Sequence, residues 1–254
     1  MGELEEKIKK ELLKSGFPLQ IFCQRCLLEN NWGMSGSEWM IFDDQSKKEI
    51  DTIGHFQEDL GKNTTIFYTL HIECKKSRDN PWIFFKEEVP LVYPVIQYEN
   101  IALRYPFEVA HSLKDLHFYH TLFSSIYTMA FQGKGNQIYE AISNVLSSYQ
   151  FHREFFGKHR RSRKPKFSII EVDFFTILLD GKLYLATVEE DDSISLGEQN
   201  HIIYYHREVK YPQFRHYNIE IVSKDYFSDY LNILNKDREL ISEFYRREIL
   251  KGES

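Results

Sequence analysis

With 254 residues, 42% of them apolar, the chain is long enough to bury a core as one large domain, and no low-complexity tract argues for disorder. A net charge of −6 excludes a surface coated throughout for nucleic acid, and three cysteines are too few for a disulfide framework. The first residues are acidic with no apolar signal segment, and no apolar run nears the ~18 residues a membrane span needs, so a soluble chain in the reducing cytoplasm, without a membrane partner, is expected.

In chain order, Leu4, Ile8 and Leu12 recur at helical spacing among charges and predict an amphipathic helix ending at Ser15-Gly16. Pro18 suits the first turn of a second helix, whose Leu19, Phe22, Cys23, Cys26 and Leu27 share one face. Gln20 and Gln24 fall on its flank, where an exposed side chain is the plainer expectation, although one turned inward would look toward the next elements. Cys23 and Cys26 form a single CxxC with no second pair, so they read as core cysteines rather than a zinc site. After Asn30-Asn31-Trp32-Gly33, residues 38–43 predict a first strand.

Residues 48–56 and 66–76 are rich in β-branched and aromatic residues and predict two more strands, joined by a polar loop over 57–65 that carries Gly61, Lys62 and Asn63. An antiparallel hairpin centred on Lys62 places Asp51 opposite Glu73, with Cβ atoms roughly 4.5–5.5 Å apart. Period-2 alternation puts Lys75 on the same face as Glu73, and Cys74 on the other. Two opposed carboxylates repel unless a cation lies between them, and oxygen ligation of this kind suits Mg²⁺ or Mn²⁺. A divalent ion there, with an ammonium beside it, is equipment for hydrolysing a phosphodiester.

Asp51, followed across a hairpin by Glu73-Cys74-Lys75, resembles the signature of the PD-(D/E)xK, or restriction-endonuclease-like, nuclease superfamily. The resemblance implies an α/β (α+β) fold with a central mixed sheet flanked by helices. It implies that Asp51 and Glu73 bind the metal, that the main-chain carbonyl of Cys74 adds a ligand, and that Lys75 assists the attacking water. Ile50 stands where the name has proline, and Gln20 stands where many relatives carry a helical glutamate, so Gln20 is at most a weak or water-mediated ligand. The resemblance covers residues 17–85 best and 136–179 by topology alone.

The rest of the chain is placed around that core. Residues 81–85 are an apolar run, and 86–135, broken by Pro90, Pro94 and Pro106, read as an aromatic-rich insertion. His111, His117 and His120 lack the companion acid of a helical zinc motif, so no metal is assigned to them. Residues 136–156 predict a helix with Ile138, Ala141, Ile142, Val145, Leu146, Tyr149 and Phe156 on one side. A strand follows over 167–179, then a hairpin turn at Asp180-Gly181, a return strand over 182–189 and a solvated acidic turn at 189–192. Strands over 202–209 and 219–222 complete the core (17–85 and 136–222). Ser223 is read as the cap of a C-terminal helix over about 224–250, with a break at Asn235-Lys236-Asp237.

Residues 157–166 hold six Lys or Arg and no acid. Lys158, Arg160, Arg161, Arg163 and Lys164 there, with Lys76 and Arg78 beside the Glu-x-Lys strand, are candidate phosphate contacts, and a solvated loop is an equal reading of the basic run. The expected activity is Mg²⁺-dependent cleavage of nucleic acid, DNA rather than RNA by analogy, in defence or repair. Two alternatives stay open: an impaired module of the same fold that grips nucleic acid or a protein, and an interaction protein that docks a second copy or an operon partner.

Overall fold

In the structure, a computed structural model, residues 2–42, 47–61, 63–87, 95–99, 113–131, 136–154, 168–210 and 213–251 are described. Helix α1 (Glu3–Lys14) forms as its spacing predicts, but Leu4, Ile8 and Leu12 are exposed rather than packed. Helix α2 (Phe17–Glu29) carries Pro18 in its first turn, where a missing N–H leaves no helical bond unmade, and the chain turns away at Asn31, which has φ 62°. Leu19, Cys23, Cys26 and Leu27 are buried along its inner face, and all three cysteines of the chain are free thiols.

Strands β1 (Gly33–Phe42), β2 (Lys47–Gly61) and β3 (Thr64–Phe85) form an antiparallel meander. The β2–β3 register is the expected one, with Thr52 opposite Ile72, Gly54 opposite Leu70 and Asp59 opposite Thr65. The loop expected over 57–65 is instead strand almost to its tip, because Gly61 and Asn63 take left-handed φ values of 84° and 59° and make a tight reversal possible.

Beyond a short strand, β4 (Val95–Glu99), the part of the expected insertion that is described joins the sheet through β5 (Phe123–Ser124) and β6 (Tyr127–Met129). Helix α3 (Gln137–His152) starts where the Asn136 side chain accepts the Tyr139 N–H, and Ile138, Ala141, Ile142, Val145, Leu146 and Tyr149 are all buried. It lies on the crossover to β7 (Ser168–Val188), which pairs parallel with β3 over most of its length. Strand β8 (Ile194–Glu198) folds back on β7, and β9 (His201–Lys210) pairs with β10 (Gln213–Ser223), itself parallel to β7. Among the described residues the mixed sheet has ten strands, its main path is β1-β2-β3-β7-β10-β9-β5, and helix α4 (Phe227–Lys251) follows β10.

Side-chain alternation splits the core in two. Leu70, Ile72, Phe174 and Val222 pack under α2 and α4, while Phe175, Ile177, Ile219 and Ile221 pack under α3. Central strands apolar on both faces are the reason their sequences read as near-continuous apolar runs.

Three expectations are corrected. Asp180-Gly181 is no turn: β7 runs straight through it, because Ser77 of β3 approaches so closely that a Cβ on Gly181 would lie 2.5 Å from the Ser77 carbonyl oxygen. The reversal falls at the acidic segment, where Glu189 N–H donates to Ser193 O at 2.9 Å and Asp192 has φ 63°. Ser223 does not cap α4; a 3-10 turn (Lys224–Tyr226) intervenes, and the Ser223 hydroxyl donates to Asn200. Nor does α4 break at Asn235-Lys236-Asp237, since Asp237 is buried against another element and holds the helix in place. No helix among the described residues is long and apolar enough to cross a membrane.

Candidate metal centre

At the open end of the β2–β3 pairing, Asp51 lies one residue beyond the Thr52–Ile72 rung. Its Oδ2 accepts the main-chain N–H of Cys74 at 2.6 Å, and its Oδ1 accepts the side-chain amide of Gln20 at 2.6 Å. The N–H and C=O of one strand residue point to the same edge, so the Cys74 carbonyl also faces Asp51. Gln20 is therefore not the exposed flank residue expected: it is buried, and α2 delivers it to the acid.

Glu73, 3% exposed, accepts the Lys75 ammonium at 2.8 Å and the Asn144 side-chain amide of α3 at 2.9 Å, both on Oε1. Burial and then the charge of Asp51 push its pKa up to about 7, against the pull of Lys75 and Asn144. Burial works against the Lys75 charge, yet Glu73 first and then Asp51 hold its pKa above the ordinary lysine range. Cys74, alternating to the other face, meets the thiol of Cys23 on α2. Asp51, Glu73, Lys75 and Cys74 are thus brought together.

The phosphate candidates fare differently. Lys76 donates to the Leu13 carbonyl and, at 3.2 Å, to that of Ser15, so it closes the C-terminal end of α1. Arg78 is largely exposed and donates to Asp180 at 2.8 Å. Lys158, Arg160, Arg161, Arg163 and Lys164 lie outside the described residues, as do His111 and Phe156.

Sequence reasoning missed the groups that support Glu73. On α3, Asn144, Ser148 and His152 recur every four residues, a row that faces β3. Ser148 shares a hydrogen bond with His71 Nδ1 at 2.9 Å, and His71 Nε2 lies 3.1 Å from Asp173 of β7. His71, two residues before Glu73 on the same face, forms with His152 and Asp173 a buried group whose ligand atoms lie within 4.8 Å of one another. The signal was a polar row at period four beside an apolar stripe. A second group joins buried His117, Glu220 and Asp237 with half-buried His201 on the α4 side.

No protein-family model, curated protein or solved structure matches this chain.

Proposed function

We propose that the chain is a metal-dependent nuclease of the PD-(D/E)xK kind, hydrolysing phosphodiester bonds, with DNA as the polymer. The observation that carries this reading is the grouping itself: Asp51 and Glu73 are buried side by side on neighbouring strands, Asp51 on the Cys74 N–H at 2.6 Å and Glu73 on the Lys75 ammonium at 2.8 Å. Two buried carboxylates so close repel one another, and a divalent cation between them would relieve that repulsion.

The donors fit Mg²⁺ or Mn²⁺: two carboxylates and the Cys74 carbonyl are oxygen ligands, few enough to leave several places for water. When bound, such an ion neutralises phosphoryl charge and lowers the pKa of a coordinated water. Lys75, released from Glu73, is placed to hold the attacking water or the charged phosphoryl oxygen. Asn144 keeps Glu73 oriented, and Gln20 does the same for Asp51. The order α2, three antiparallel strands and then, beyond the short strands β4 to β6, α3 and a parallel strand β7 supports the reading, since the resemblance implies a helix, three strands, a crossover helix and a further strand.

A second reading is an impaired module that binds nucleic acid without cutting it. Gln20 favours it, because an amide donor on Asp51 occupies the place of a third acid. The test is incubation of the protein with plasmid and with single-stranded DNA in Mg²⁺, Mn²⁺ or EDTA, beside Glu73→Ala and Lys75→Ala. Cutting that needs the metal and both side chains is expected. Binding with no metal-dependent cutting of any substrate would transfer the assignment to the second reading.

A further inference from the structure

Three residues from three separated elements converge under α4. His117 opens a 3-10 turn (His117–Tyr119), His201 opens β9, and Glu220 sits in β10. His117 Nε2 and His201 Nε2 lie 2.7 and 2.9 Å from the same oxygen, Oε2 of Glu220. The ligand atoms of all three fall within 4.8 Å of one another, and Glu220 is wholly buried.

The surroundings are those of a metal-bound imidazole. The second nitrogen of His117, Nδ1, is hydrogen-bonded to Asp237 Oδ2, and Asp237 Oδ1 accepts the main-chain N–H of His117 at 3.2 Å. A ligating histidine nearly always gives its other ring N–H to such an acceptor, which fixes the tautomer and the ring plane. The free oxygen of Glu220 is fixed in the same way: Tyr230 donates to Oε1 at 2.9 Å, and its hydroxyl lies 2.7 Å from Thr176.

We propose that His117, His201 and Glu220 bind a divalent transition cation of the zinc class, with Asp237 as a positioning residue behind His117. Two imidazole nitrogens and one carboxylate oxygen select Zn²⁺ or Co²⁺ over Mg²⁺. Bond lengths of about 2.0–2.2 Å are reached by a small outward movement of the three donors, and the fourth position is left to water. The ion ties the turn at His117 to β9, β10 and α4. It is independent of the nuclease reading, since Glu220 faces α4 while Glu73 faces α3.

The test uses the whole chain, purified without a metal-chelating column, stripped with a chelator and titrated with Co²⁺ and then Zn²⁺. Co²⁺ binding with the visible absorption of a low-coordinate, imidazole-ligated site, displaced by Zn²⁺, is expected. His201→Ala and Glu220→Gln should abolish that absorption, and Asp237→Asn should weaken affinity about 10–100-fold. Wild-type protein that shows no such absorption with Co²⁺ overturns the proposal whether or not the variants fold, as does absorption that survives in folded His201→Ala.

Discussion

Two buried glutamates, Glu73 and Glu220, face opposite helical layers of one sheet, and the protein treats them differently. Glu73 is met by an amide and by an ammonium that is 24% exposed, and it is pushed up to about 7. Burial would raise Glu220 too, but the charge of His117 and hydrogen bonds from His117 and His201 draw it down to about 2. Depth alone therefore does not set protonation: both glutamates touch a cationic donor, but the charge of Asp51 works against Glu73, while two imidazoles hydrogen-bond Glu220. Oxygen donors suit a hard, exchangeable ion, and imidazoles beside a carboxylate suit a more tightly held transition cation.

The sharpest way to break this contrast is to remove the ammonium. Lys75→Ala should lower metal-dependent cleavage at least about 100-fold while Mg²⁺ binding persists, and Asp237→Asn should leave cleavage within about threefold. Initial rates on plasmid DNA and Mg²⁺ calorimetry measure both, and equal losses would erase the distinction.

Glu73→Gln tests the protonation difference directly. A carboxyl whose folded pKa lies above its unfolded value binds protons more tightly when folded, so stability falls as pH rises from about 4.5 to about 7. The amide removes that loss. In metal-free protein the variant should gain up to about 3 kcal/mol at pH 8 and almost nothing at pH 4, read from urea unfolding. The same titration predicts that Mg²⁺ affinity of the wild type weakens below about pH 7.

Gly181→Ala strikes the β3–β7 seam that both layers share. With the Ser77 carbonyl oxygen 2.5 Å from the new methyl, it should cost about 1–3 kcal/mol and depress both metal affinities together. The smallest effect belongs to Asn144→Ala. Loss of one hydrogen bond costs about 1 kcal/mol and should move the acid limb of the pH–rate profile upward, since Asn144 holds Glu73 down.

What could be read beforehand follows range of interaction. The β2–β3 register was legible because alternation and turn chemistry fix it locally, and the α3 stripe because its period is internal. Gln20 was misjudged because a flank position on a helix turns inward or outward according to where a strand thirty residues later ends. Asp180-Gly181 has the composition of a turn, and only the approach of Ser77 makes its glycine serve a straight strand instead. Glu220 and Asp237 lie 103 and 120 positions from His117, beyond any periodic signal.

The parallel seam also imposes a timetable on synthesis. Thr64 pairs with Ser168, so the strand bearing the two reactive side chains keeps one edge bare until roughly a hundred further residues have left the ribosome. At about 5–20 residues per second that wait lasts on the order of 5–20 s, during which a long hydrophobic edge is available to neighbouring nascent chains. Asn144, which steadies Glu73, also emerges only within that interval. Aggregation during expression should accordingly respond to translation speed between codons 86 and 168 more than to changes at either terminus.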